Sequence, residues 1–194
     1  SKLLWMKLHE RDAFPPASEQ QQAIFDQGHE IGEMAKGLYP GGIEVAEGIY
    51  KYDEALKATA AVLSRRKPLY EPAFEHNGGF VRVDILNPCG DDAWEIIEVK
   101  SGTKVKKVNL LDVAFQKYVC EGAGLKITAC SVMHINTDYV RQGEVDPKEL
   151  LIANEVSEKV EGLVTKVPQR LEELKEVASE SECPEVAIGA HCSH

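Results

Sequence analysis

Apolar and polar positions follow two rhythms along this chain, one close to 3.6 residues and one of two residues. The helical rhythm comes first. In "KLLWMKLH", Leu4, Trp5 and Leu8 share a face with no capping residue ahead of them, so the chain reads as a helix already under way and trimmed at its start. After "FPPAS", Ser18 and Gln21 have capping-box spacing, and Ile24, Gly28, Ile31, Ala35 and Leu38 follow on one stripe until "YPGG". A further helix is predicted over "YDEALKATAAVLSRR", ending before Pro68, with Leu56, Ala60 and Leu63 inward.

The rhythm then shortens to two. "LYEPAFEH", "GFVRVDIL" and "AWEIIEVKS", separated by "NGG" and "NPCGDD", predict a three-stranded antiparallel meander. Asn109 is placed to cap a helix over "LLDVAFQKYVC", which Gly122 and Gly124 end before a strand over "LKITACSVMHI". Strand, helix, strand is the order of a crossover that lays the last strand parallel to a neighbour. From Asp146-Pro147 onward the spacing is helical, with Pro168 expected to bend or interrupt it. These elements predict an α+β fold, a central mixed β-sheet flanked by helices with a helical C-terminal part. Residues 1–178 read as one domain and 179–194 as a cysteine-containing tail.

Composition narrows the picture. The chain has 194 residues, 43% of them apolar, enough for one good core. No apolar run reaches the ~18 residues of a membrane span, and the first residues lack the order of a signal peptide, so the expectation is a cytosolic protein without a membrane partner. A net charge of −10 argues against a surface coated with phosphate-binding groups. Basic residues nonetheless cluster at Arg65, Arg66 and Lys67 and again at Lys100, Lys104, Lys106 and Lys107. Five cysteines, an odd number in a chain this size, point to free thiols or metal ligation rather than a disulfide framework.

The candidate chemistry lies in the hairpin "VRVDILNPCGDDAWEIIEVKSGTK". Alternation puts Asp84 with Arg82, and Glu98 with Lys100, while Val81, Val83, Ile85, Ile97 and Val99 point the other way. One reading is a set of cross-strand ion pairs on a solvated face. The other is a cation site: Mg²⁺ takes oxygen ligands and is typically held by one or two carboxylates, here Asp84 and Glu98, with the Val99 carbonyl as a further oxygen. Lys100 would then orient or deprotonate a water attacking a phosphodiester, or neutralise the transition state.

The order "GHEIG", "VRVDIL", "EIIEVKSGT" and a helix bearing Gln116 resembles the PD-(D/E)XK nuclease superfamily, and within it the RecB-like branch that includes CRISPR-associated exonucleases with four cysteines. "KLLWMKLH" is similar to their opening helix, and "MHINTDYVRQGEVD" resembles a group of bacterial relatives. The resemblance implies a restriction-endonuclease-like core. It also implies that Asp84, Glu98 and Lys100 are catalytic, and that His29, Asp84, Glu98 and the Val99 carbonyl bind Mg²⁺ or Mn²⁺. Gln116, Tyr118 and Tyr139 would contact substrate. Without the family, His29 reads as an ordinary core or surface histidine and Gln116 as a buried amide. The family often has a tyrosine four residues after the glutamine; here that position is Cys120, with Tyr118 two earlier. Cys183 and Cys192 match the start of a C-terminal iron–sulfur ligand group that a longer form would complete. Within this sequence, Cys183, Cys192, His191 and His194 could instead take zinc or form a frayed tail. Cys120 and Cys130 read as core residues, and Cys89 as a turn residue without a partner.

The expected activity is that of a metal-dependent DNA nuclease, an exonuclease acting on ends or single strands. The alternatives are a catalytically silent, nuclease-derived module that binds DNA or protein, and a structure-specific endonuclease on the same fold.

Overall fold

The computed structural model describes residues 2–45 and 51–185, the side chain of residue 11 excepted. In chain order the elements are α1 (Lys2–His9), α2 (Glu19–Gly37), β1 (Ile43–Glu44), α3 (Tyr52–Leu63), β2 (Leu69–Tyr70), β3 (Ala73–His76), β4 (Gly79–Arg82) and β5 (Ile85–Cys89). They continue as β6 (Ala93–Val99), α4 (Lys107–Gly122), β7 (Lys126–Ile135), α5 (Pro147–Leu150), β8 (Leu151–Glu155), α6 (Ser157–Val164) and α7 (Val167–Ser179). The fold is mixed α/β: a six-stranded sheet in the order β1-β2-β5-β6-β7-β8, with β3 and β4 forming a separate pair. No described helix is long and apolar enough to cross a membrane.

β6 pairs antiparallel with β5 and parallel with β7, as the crossover through α4 predicts. Each face of this sheet carries its own core. Leu86, Trp94, Ile96, Cys130 and Val132 pack with α4, α6 and Leu69 on one side. Ile85, Ile97 and Met133 pack with Ile31 and Ala35 of α2 on the other. Ser18 caps α2 as its spacing predicts, with the Ser18 hydroxyl and Gln21 amide reciprocally bonded to backbone. The first half of α2 nevertheless stands clear of the sheet, leaving Ile24 and Phe25 exposed.

The expected three-stranded meander is corrected. Its first two strands each break in the middle, at Glu71-Pro72 and at Val83-Asp84, so the hairpin bends away from the sheet. Glu71 adopts a left-handed φ of 56°. Backbone bonds from Glu71 N to Asp84 O (3.2 Å) and from Val83 N to Pro72 O (3.0 Å) hold the two strands together across the bend. Beyond it, β3 and β4 turn tightly through Asn77 (φ 50°) and Gly78 (φ 75°), as "NGG" predicts. The bend also breaks alternation: Val83 packs in one core and Ile85 in the other.

Other expectations shift by local chemistry. In α3 the buried stripe is Ala55 and Thr59, while Ala60 is exposed. Thr59 accepts from Ala73 N at 2.8 Å and donates to Ala55 O at 2.9 Å, so a hydroxyl docks α3 onto β3. Asn109 sits in the first turn of α4, where its side chain accepts from Lys106 N at 2.8 Å; Lys106 is the cap. The continuous helical stretch expected after Pro147 is interrupted by β8, antiparallel to β7 at the sheet edge. Pro168 lies in the first turn of α7, where a missing N–H costs nothing. At the other end of α7 the chain returns to its beginning: Trp5 Nε1 donates to Glu180 O at 2.8 Å, and His9 stands 3.0 Å from Ala178 O.

Thr59→Val keeps the shape of the side chain but removes the acceptor for Ala73 N, a buried donor. Urea unfolding is expected to register a loss of about 1–3 kcal/mol, the cost of an unsatisfied buried polar group.

Candidate active site

Glu98 reaches the interior because β6 is a central strand. Trp94, Ile96 and Glu98 alternate toward α4, whereas Ile97 and Val99 face α2. The carboxylate is only 5% exposed, and both of its oxygens are engaged. Gln116 Nε2 donates to Oε2 at 2.6 Å, and the Lys100 ammonium lies 2.5 Å from Oε1. Lys100 also stands 3.4 Å from Asp112 on α4. Burial acts to lower the pKa of Lys100, but Glu98, Asp112 and Asp84 outweigh it, and the net shift is upward. The amine therefore carries its proton.

Asp84 sits at the bend just before β5. Its Oδ2 accepts from Val99 N at 2.7 Å. Burial, then the charge of Glu98, raises its pKa to about 8, against the partial opposition of that backbone bond and of Lys100. Glu71 beside it is also raised, chiefly by burial, with Lys36 and Arg82 pulling the other way. Arg82 thus acts on Glu71 across the bend. The bend brings Asp84, Glu98 and Glu71 within electrostatic reach of one another, with Lys100 bonded to Glu98.

Asp84 also lines a cavity of about 350 Å³ between α2 and the sheet, together with Phe25, Gly28, His29, Gly32 and Glu71. A Cβ on Gly28 or Gly32 would meet nothing within 4 Å, so these glycines widen the cavity rather than admit the sheet. His29 is exposed and shares this cavity with Asp84. No three His, Cys, Asp or Glu side chains among the described residues are close enough to enclose a metal ion, so the imidazole does not complete a ligand set with the carboxylates.

The substrate-facing tyrosines fall elsewhere. Tyr118 accepts from Asn77 Nδ2 at 3.2 Å and packs edge-on against His76, at the far hairpin turn. Two residues along a helix turn the side chain by roughly 200°, so Gln116 and Tyr118 face apart. Tyr139 accepts from Asp146 N at 3.0 Å and braces the loop leading into α5.

Sequence reasoning missed Glu71, Asp112 and His134. Glu71 and Asp112 reach the cluster through non-local contacts, and His134 comes beside it through strand register, none of which periodicity encodes. β7 pairs Met133 with Val99, and Lys100 N donates to Met133 O at 2.9 Å, which puts His134 next to Lys100 on the α4 side of the sheet. His134 is buried; its Nδ1 donates to Ile135 O at 3.0 Å and its Nε2 accepts from Asn154 at 2.6 Å.

A divalent cation would suit Asp84, whose proton affinity burial and the charge of Glu98 raise, together with Glu98 itself. The Gln116 Oε1 atom supports the fit: it is buried beside Glu98 with no partner among the described residues, and a water of coordination would donate to it. Asp84 and Glu98 would hold such an ion, with Val99 bordering the cavity. For an iron–sulfur cluster the described residues supply only Cys183, half-buried and free; Cys192, His191 and His194 lie outside them. Cys120 and Cys130 are core residues as expected, their thiols pushed well up by burial, Cys130 to about 12. Cys89 stands 3.2 Å from the Thr128 hydroxyl.

No protein-family model matches the chain, and no curated protein matches it significantly. Among solved structures the chain is similar to one described as SSO0001, at 12% identity over 87% of this chain and 84% of that one. The TM-score is 0.28, too low to carry any argument about this chain.

The raised pKa of Asp84 has a direct consequence for the metal-free protein. Between the ordinary value of 3.8 and about 8, the folded state holds a proton that the unfolded state releases. Stability is therefore expected to fall as pH rises through that window. Asp84→Asn should flatten this slope and raise the melting temperature at pH 8. Added Mn²⁺ should raise the wild-type melting temperature at pH 8 but not the variant's. A variant less stable than wild type at pH 8 contradicts this electrostatic picture.

Proposed function

We propose that the chain is a metal-dependent DNA nuclease of the PD-(D/E)XK superfamily, RecB-like in its motif order, working as an exonuclease. One observation carries the reading: Asp84, on the wall of the cavity, lies within electrostatic reach of Glu98, and Glu98 is held by both Lys100 and Gln116. Structural ion pairs need one carboxylate per cation. Here Glu98, Asp112 and Asp84 all act on Lys100, more carboxyl groups than one ammonium offsets, an arrangement that favours a further cation.

When bound, Mg²⁺ or Mn²⁺ supplies Lewis-acid activation of the phosphate and a more acidic water. The chain's own groups do the rest. Asp84 would hold such an ion as its carboxylate, its proton passing to solvent, and the bond from Val99 N fixes its direction. Lys100 is charged and stands at the cluster, so its role is to hydrogen-bond the attacking water and neutralise charge gathering on the phosphate, not to remove a proton. Gln116 keeps Glu98 oriented through Nε2, leaving Oε1 to position a water. His29, on the cavity wall, would meet the substrate.

End-labelled linear DNA should be degraded in Mn²⁺ or Mg²⁺, while closed circular DNA survives. Lys100→Ala and Asp84→Ala should each lower the rate by roughly a hundredfold or more, the scale of removing one preorganised charge. Circular dichroism should show both variants folded. Cleaved circles would indicate an endonuclease. Tight DNA binding with no cleavage in any divalent metal would sink the enzymatic reading in favour of a binding module.

A further inference from the structure

We propose that β8, the free edge of the main sheet, pairs antiparallel with β8 of a second copy of this chain, joining two six-stranded sheets into one across a two-fold axis at Ala153. The pairing does not depend on the nuclease reading.

β8 ends the strand order, and every residue of it after Leu151 is exposed, Ile152 by 40%. Its register with β7 fixes which backbone groups are free. Asn136 N donates to Leu150 O at 2.7 Å and Val156 N to Cys130 O at 2.8 Å, so Ile152 and Asn154, in phase with Leu150 and Val156, turn their N–H and C=O toward β7. Leu151, Ala153 and Glu155 therefore turn theirs to the open edge. The Leu151 N–H is taken by Pro147 O. Among the described residues no other backbone group bonds the Leu151 carbonyl, either group of Ala153 or the Glu155 N–H.

Sheets that stay single blunt such an edge with proline, lysine, a bulge or a very short strand. β8 has none of these: it reads LIANE and pairs with β7 without a register shift. The strand at the opposite edge, β1, spans only Ile43–Glu44.

The pattern of LIANE selects a second copy as the occupant. With Ala153 opposite Ala153, each Ala153 N–H meets the other copy's Ala153 carbonyl and each Glu155 N–H the other copy's Leu151 carbonyl, so every free group just named finds its complement. Glu155 then lies across from Leu151 and far from its own twin, while the exposed Ile152 side chains come together diagonally across the axis. Centring the pair one residue later would set the two Glu155 carboxylates diagonally on one face; one residue earlier would put Glu155 across from Glu149 of α5. So short an edge makes a small interface, and the dimer is reversible rather than obligate.

Sedimentation equilibrium of the full chain in reducing buffer, over about a hundredfold range of concentration, tests the pairing. The wild type is expected to pass from monomer to dimer and stop there, because a two-fold contact closes. Ile152→Lys sets two ammonium groups diagonally across the axis, and Ala153→Pro removes the central N–H. Each should weaken the dimer at least about tenfold, with circular dichroism unchanged. Should the proline variant fail to fold, Ile152→Lys alone decides. Under mild oxidation Ala153→Cys should form a covalent dimer beyond any that the unsubstituted chain forms, since facing residues of a bonded pair stand about 5.5 Å apart at Cα. Glu155→Cys should not, its twins lying on the order of 13 Å apart along the strands. A wild type that stays monomeric overturns the proposal and leaves the edge to a strand of another protein. A dimer that Ile152→Lys leaves intact, a ladder of larger species, or oxidation that links Glu155→Cys as readily as Ala153→Cys overturns it too.

Discussion

Two like charges held side by side, where water screens them poorly, are the constraint around which this molecule is arranged. Burial first, and then the charge of Glu98, keeps Asp84 protonated toward neutral pH, while Lys100 and Gln116 occupy Glu98. Such an arrangement lowers the stability of the empty protein. It is tolerable because the surrounding sheet is rigid: β6 is paired on both sides, and each of its faces is covered by a separate core.

The bend in the hairpin links sequence to site. A straight pair of strands would keep Asp84 in line with the residues on either side and leave the carboxylates on a solvated face. Breaking both strands at Glu71-Pro72 and Val83-Asp84 moves β3 and β4 out of the sheet, toward α3 and α4. It leaves Asp84 at the rim of a cavity while its carboxylate still reaches Val99 N. The left-handed backbone at Glu71 is part of this geometry and brings a third carboxylate close. The cluster thus borders the cavity under α2.

Much of this was legible in the sequence, for identifiable reasons. β6 and β7 are long and lie between other strands, so their apolar runs gave the strands, and the intervening helix gave the parallel pairing. Glu98, Lys100 and Gln116 follow from strand alternation and helix placement. β8 was hidden because only Leu151 of its five residues is buried, leaving no period to read. Alternation failed at Val83-Asp84 because a bend resets it, and Thr59 was passed over in favour of Ala60 because its burial depends on a hydrogen bond to a distant strand. Tyr118 was drawn to the site by its nearness to Gln116 in sequence, which helical geometry reverses. Asp112 joins the cluster through the reach of its side chain to Lys100, which no local pattern carries.

The central claim is that Asp84 and Glu98 form a cation site held partly protonated until the ion arrives. Calorimetric titration of Mn²⁺ at pH 7, repeated in buffers of different ionisation enthalpy, measures this directly. The account predicts binding that releases about one proton, since a ligand must shed its proton to coordinate, and loss of that release in Asp84→Asn. Absence of Mn²⁺ binding, or binding with no proton released and no change in the variant, would contradict it.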